Sequence, residues 1–217
     1  MKAVLQPGRT EGSIIRIPSS KSIGHRALIA AALSQAPSII RGLDASRDIA
    51  ATMGALAHLG ARFERGQDGL NITPVRDLAA YDGKPVDCGE SGSTLRFLIP
   101  LFSLCGKPVT FIGRGRLLER PQDVYAKLFA DQKLPFEQTS EHIRICGPLR
   151  PDVFRVPGDV SSQFISGLLF ALPLLAGTSH IEVLPPYESR SYVDLSRRGL
   201  AQAGLVIRGA DDALEIP

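Results

Sequence analysis

The sequence predicts an α/β fold, a single domain of three βαβαββ repeats packed around buried helices with pseudo-threefold symmetry. Three observations lead there. Displacing the chain by 144 residues brings its first and last thirds into register without a gap: Ile49 meets Val193, Leu56 meets Leu200, Ala57 meets Ala201, Gly60 meets Gly204, Leu70 meets Leu214 and Ile72 meets Ile216. Each third holds a nearly all-apolar stretch directly after a turn rich in Gly, Ser or Pro. Each then holds a second segment with a one-sided apolar stripe and a closing hairpin. A repeat of this kind fixes the architecture, because one unit cannot bury its apolar face alone.

The repeats run over about 13–75, 84–148 and 153–217. Each opens with a short strand: Ile14–Ile17, Lys84–Asp87 and Phe154–Val156. The apolar stretches Ser22–Leu33, Ser93–Leu104 and Ser161–Leu175 are expected as helices, and apolar on all sides means buried on all sides. Strands follow at Ser38–Arg41, Val109–Ile112 and His180–Leu184. In the first unit the second helix carries Ile49, Met53, Leu56 and Gly60 at helical spacing. The spacing then predicts hairpins of Arg62–Phe63 with Leu70–Ile72 across Gly66-Gln67-Asp68-Gly69, and of Val206–Ile207 with Leu214–Ile216. Lys2–Gln6 reads as a strand with no partner in the three units, within a segment, 1–12, that stands outside the repeat.

Composition narrows the function classes. Net charge is +3 over 217 residues, and the longest basic run is Arg197-Arg198, which argues against a nucleic-acid partner. Cys88, Cys105 and Cys146 form no C-x-x-C pair, so neither a metal site nor a disulfide framework is expected. Reduced thiols in a cytoplasmic protein are the simpler reading. No apolar run marks a secretory leader in 1–12. Phe164–Ala176, the most apolar stretch, is too short to span a bilayer.

The chemistry-bearing residues cluster at the three turns. A helix N-terminus offers unsatisfied N–H groups and partial positive charge, and so favours anions. The first turn, Pro18-Ser19-Ser20-Lys21-Ser22, places Lys21 and Ser22 at a helix start, with Arg26 about one turn in. It reads equally as an anion cradle or as a plain cap followed by solvated charge. The second, Gly89-Glu90-Ser91-Gly92, lets backbone approach a ligand closely; it reads alternatively as a helix cap and tight turn, with Arg96 pairing a structural carboxylate such as Glu90. The third, Gly158-Asp159-Val160-Ser161-Ser162-Gln163, offers two hydroxyls and an amide. Two loops add Arg114, Arg116 and Arg120 before Pro121, and Ser189-Arg190-Ser191-Tyr192. His25 reads as a surface or cap residue, and Asp48, Asp123 and Asp194 as acids near helix N-termini.

Four of these segments resemble, in the right order, the signatures of the 3-phosphoshikimate 1-carboxyvinyltransferase (EPSP synthase) family: Pro18–Leu28, Gly89–Arg96, Glu119-Arg120-Pro121 and Val160–Phe164. The resemblance covers essentially the whole chain. It implies an enolpyruvyl transferase fold of two similar domains, of which this chain is the N-terminal one. It implies transfer of an enolpyruvyl group from phosphoenolpyruvate to shikimate 3-phosphate in aromatic amino-acid biosynthesis, with no metal or organic cofactor. By the same resemblance Lys21, Ser22 and Arg26 hold shikimate 3-phosphate, with Lys21 also near phosphoenolpyruvate. Gly92 and Arg120 line the phosphoenolpyruvate subsite. Ser161, Ser162, Gln163, Ser189 and Tyr192 complete the shikimate phosphate site, Gln163 touching both ligands. Catalytic acid–base groups are expected in a C-terminal half, which would also pair with residues 1–12, and the isolated chain is expected not to turn over. Glu90 and Ser91 depart from the Asn and Ala that the family often carries.

Three rival readings are a non-catalytic module for a small phosphorylated anion, half of the sister transferase acting on UDP-N-acetylglucosamine, and an RNA-processing protein with related βαββ repeats, against which the absence of basic–aromatic clusters argues. The sister enzyme typically has a reactive Cys in the loop corresponding to Gly113–Pro121, where this chain has none.

Overall fold

A computed structural model describes residues 17–210 and 212–217. The strand expected at Ile14–Ile17 and the segment Lys2–Gln6 therefore lie almost wholly outside the described residues; Ile17 itself is not in a strand. The first unit runs α1 (Lys21–Ala32), β1 (Ser38–Ile40), α2 (Arg47–Ala57), β2 (Arg62–Arg65) and β3 (Leu70–Thr73). The second runs β4 (Val86–Asp87), α3 (Gly92–Ser103), β5 (Val109–Ile112), α4 (Asp123–Asp131), β6 (Phe136–Gln138) and β7 (Ile143–Ile145). The third runs β8 (Val153–Pro157), α5 (Ser162–Ala171), β9 (Ser179–Leu184), α6 (Arg190–Gln202), β10 (Arg208–Gly209) and β11 (Ala213–Ile216).

Each unit builds its own small sheet, in the orders β1-β3-β2, β4-β5-β7-β6 and β8-β9-β11-β10. The leading strand is parallel to its neighbour (β4 on β5, β8 on β9) and every other pair is antiparallel. The parallel pair follows from the intervening helix, since parallel strands need a crossover connection. The expected hairpin of Phe63 with Ile72 is present, closed by Gly66 N–H donating to the Gly69 carbonyl at 2.8 Å. The third hairpin sits lower than expected. Its first strand is Arg208–Gly209, paired with Glu215 and Leu214, while Ile207 turns into the core and Val206 is exposed. Burying Ile207 removes apolar area from water that a strand at 206–207 would have had to share between two faces.

The core helices α1, α3 and α5 are buried over most of their length, and α3 packs closely on α5. Gly167 permits that approach. A Cβ there would lie against the Tyr125 hydroxyl and the Arg96 carbonyl. The last apolar residues expected in the third helix leave α-geometry at Pro173, where Leu172–Leu174 form a single 3₁₀ turn. Among the described residues no helix is long and apolar enough to cross a membrane.

Candidate active site

Serine hydroxyls start the core helices. Ser20, Ser91 and Ser161 accept from the backbone N–H of Ile23, Thr94 and Gln163 at 3.4, 3.2 and 3.2 Å. Each such cap stabilises its helix by about 1 kcal/mol. Side-chain bonds then tie the helix starts together.

The first tie is a buried polar chain. His25 Nδ1 lies 2.7 Å from Thr52 Oγ1, which lies 2.7 Å from Thr94 Oγ1, which donates to Ser91 Oγ at 2.8 Å. It joins the first turns of α1 and α3 to the middle of α2. His25 is 2% exposed, not the surface residue expected, and burial pushes its pKa down to about 4. The imidazole is neutral near pH 7, and its hydrogen bond stands in for the water it has lost. At the same junction Lys21 Nζ pairs with Asp48 Oδ2 at 2.9 Å, both groups keeping access to solvent.

The second tie joins α3 to α5. Arg96 Nη1 donates to Gln163 Oε1 at 3.1 Å, and Gln163 Nε2 donates to Ser93 Oγ at 2.9 Å. Arg96 also reaches the Pro121 carbonyl and Gln122 Oε1 at the head of α4, and lies 4.7 Å over the Phe164 ring. The expected partner of Arg96, a carboxylate such as Glu90, is therefore replaced by neutral acceptors. Among the described carboxylates nearby, Asp48 is matched by Lys21, Asp87 by Arg114 and Glu119 by Arg116. The Glu90 carboxylate lies instead against Gly115.

Gly92 sits inside this cluster. A Cβ on it would be 2.8 Å from Arg120 Nη1 and 4.0 Å from Gln163 Oε1. The bare backbone at the start of α3 thus brings a helix N-terminus, a guanidinium and an amide to one spot, which is anion-binding chemistry. The structure brings Gly92, Arg120 and Gln163 together and adds Ser93 and Arg96, which sequence reasoning had not placed in the site. Their spacing within the helix after the glycine turn was the available signal.

The third tie joins α1, α5 and α6 through Arg26. Its Nε donates to Ser196 Oγ at 2.7 Å, Nη1 to the Ser22 carbonyl at 2.8 Å, and Nη2 to the Tyr192 carbonyl at 3.1 Å and Ser166 Oγ at 3.3 Å. Arg26 is 4% exposed and lies over Phe97, and burial lowers its pKa to about 10. It anchors the backbone of Ser22 and Tyr192, two expected ligand residues, and is itself largely enclosed. The last expected group surrounds Gly158. Ser161 and Ser162 begin α5, Ser162 is buried, and Ser189 lies 3.5 Å from the Gly158 carbonyl. Tyr192 is half-exposed.

Three repeated α/β units with polar helix starts define a class, and solved structures identify it. The fold is similar to EPSP synthase from Acinetobacter baumannii with a TM-score of 0.77 at 20% identity, covering 93% of this chain and 46% of that one. It is also similar to the enolpyruvyl transferase NikO from Streptomyces tendae, with a TM-score of 0.62 at 14% identity, covering 90% and 46%. The fold is that of the enolpyruvyl transferases.

The sequence is more specific. The profile of EPSP synthase (3-phosphoshikimate 1-carboxyvinyltransferase) matches residues 4–216, and the chain belongs to that family. Curated relatives of that name from Clostridium kluyveri and Clostridium perfringens are 47% and 42% identical over 209 residues. Each alignment covers 95% of this chain but only 48% and 49% of the relative, so the chain spans about half the length of the curated relatives it matches.

Proposed function

We propose that this chain is the half of an EPSP synthase that binds shikimate 3-phosphate, and that it works in transfer of the enolpyruvyl group from phosphoenolpyruvate once a C-terminal half is present. The observation that carries the reading is the approach of Arg120 and Gln163 to the bare backbone of Gly92. In this reading Gly92, Arg120 and Gln163 line the phosphoenolpyruvate subsite, with Lys21 at its edge. Lys21, Ser22, Ser161, Ser162, Gln163, Ser189 and Tyr192 hold shikimate 3-phosphate. Arg26 supports that site by fixing the Ser22 and Tyr192 carbonyls.

The division of labour follows from the chemistry. Enolpyruvyl transfer requires a proton delivered to a carbon of phosphoenolpyruvate and a proton removed from a shikimate hydroxyl. Positioned acids and bases contribute about 10²–10⁴-fold to such steps. The carboxylates at Asp48, Asp87 and Glu119 are paired with cations, which suits them to holding the frame rather than to moving protons. Binding and orientation are what this half supplies.

NMR titration with shikimate 3-phosphate tests the reading. Shifts should concentrate at residues 20–22, 161–163 and 189–192, with millimolar affinity because half a site makes few charge-assisted bonds of about 1.5–3 kcal/mol each. Unchanged affinity in both Lys21→Ala and Ser161→Ala would refute the assignment.

A further inference from the structure

We propose that Gln138 is a positioning residue for Arg120: its side-chain amide holds the backbone from which that guanidinium reaches over Gly92. This deepens the functional reading above and rests on its placing of Arg120 in the phosphoenolpyruvate subsite.

The Arg120 guanidinium donates to no acceptor among the described residues, although its Nη1 lies 2.8 Å from where a Cβ on Gly92 would stand. A side chain without a partner of its own is aimed by its backbone. That backbone belongs to the irregular loop between β5 and α4, where Arg114, Arg116 and Glu119 are exposed. Gln138, half-buried on β6, fixes it from outside the loop. An amide nitrogen carries two protons, and Gln138 Nε2 gives them to two carbonyls, Leu118 at 2.7 Å and Arg120 at 3.0 Å. Gln122 Nε2 adds a further bond to the Arg120 carbonyl at 3.2 Å, and Arg96 Nη2 holds the next carbonyl, Pro121, at 3.2 Å. Leu117 and Leu118 are buried, so apolar packing fixes the loop just before the residues that the amides hold.

Comparison of the three units shows that this tie is an addition. In every unit the loop before the second helix is bonded back to the turn before the first. Ser19 N–H donates to Asp44 Oδ2 at 2.6 Å, Arg114 N–H to the Gly89 carbonyl at 2.7 Å, and Glu188 N–H to the Gly158 carbonyl at 3.3 Å. Among the described residues, the second unit alone adds a bond from the strand that follows its second helix. β6 supplies Gln138, whereas no side chain of β2 or β10 donates to the corresponding loop. The extra tie falls on the loop that carries Arg120. Without it the Leu118 carbonyl turns to water and the Arg120 carbonyl keeps only Gln122. The loop then spends less time in the geometry a ligand needs, and apparent affinity falls in proportion.

Gln138→Met tests the proposal, because methionine keeps the length of the side chain and has no proton to give. The first readout needs no ligand: the side-chain Nε–H signal of Arg120 in NMR spectra of this chain, assigned by its loss in Arg120→Ala. It should shift in Gln138→Met toward the signals of the exposed arginines. The second is titration with phosphoenolpyruvate, whose affinity should fall roughly three- to tenfold on loss of the two bonds. Affinity for shikimate 3-phosphate should hold, and the melting temperature should drop by no more than about 3 °C. In an Arg120→Ala background, Gln138→Met should weaken phosphoenolpyruvate binding no further, since two residues acting through one contact are not additive. An unmoved Arg120 signal, equal loss of affinity with and without Arg120, or a parallel loss for shikimate 3-phosphate would each overturn the proposal. Failure of the functional reading would look different: the Arg120 signal would respond to Gln138→Met while Arg120→Ala left phosphoenolpyruvate binding untouched.

Discussion

Arg96 donates to Gln163 at 3.1 Å across the junction of α3 and α5, beside the bare backbone of Gly92. The guanidinium is half-enclosed against the Phe164 ring, with further acceptors at the head of α4. Burial lowers its pKa, yet every acceptor is neutral, so its charge stays available to a bound anion. Replacing Gln163 by Leu should leave Arg96 and Ser93 without this partner, destabilise the fold by about 1–2 kcal/mol, and weaken anion binding. Urea denaturation and phosphate titration on the same variant measure the two effects.

Gly92→Ala separates binding from folding. The new methyl would stand 2.8 Å from Arg120 Nη1, the far end of a flexible side chain, so Arg120 yields rather than the backbone. Alanine also favours the helix by up to about 1 kcal/mol. The variant should be at least as stable as the parent while phosphate affinity falls roughly tenfold, the loss of one charge-assisted bond. Isothermal titration beside thermal melting would show the split.

Lys21→Ala should behave alike for another reason. The Lys21–Asp48 pair is open to solvent, with side-chain exposures of 61% and 32%, so its removal should change stability by less than about 1 kcal/mol. Affinity for a phosphorylated ligand should drop by about tenfold or more, and the salt dependence of binding should flatten. Titrations at two ionic strengths check both.

His25 sets a pH dependence of stability. Its folded-state pKa of about 4 lies below the usual 6.5, so the unfolded chain binds the proton more readily. The native state should hold its full His25 contribution above about pH 6.5 and lose it as pH falls through 4, by about 3 kcal/mol in all. His25→Gln should remove most of that slope between pH 6.5 and 4.5. Urea midpoints across the range, for parent and variant, provide the check.

What the sequence made legible was repetition. The ungapped register of Ile49 with Val193 and Ile72 with Ile216 survives because core positions are held by packing, and packing repeats when the fold repeats. Turns rich in Gly, Ser or Pro before apolar runs likewise located the starts of α1, α3 and α5 closely. Partners across the units were not legible. His25 lies early in a helix and looks solvated, but Thr52 and Thr94 arrive from elsewhere and enclose it. Arg96 lies near Glu90 in sequence, yet the tertiary fold brings Gln163 to it from 67 residues away. Arg26 was recognisable as a cation at a polar turn, while its bonds to Ser166, Tyr192 and Ser196 depend on the third unit closing against the first.

The most direct test of the account is phosphate release from phosphoenolpyruvate and shikimate 3-phosphate. It would be measured for this chain alone and for this chain mixed with the separately expressed C-terminal half of the Clostridium kluyveri relative. The account predicts no turnover by the chain alone and turnover on mixing, abolished by Lys21→Ala in this half. Robust turnover by the isolated chain would contradict it, because the acid–base groups assigned to the other half would then have to reside here.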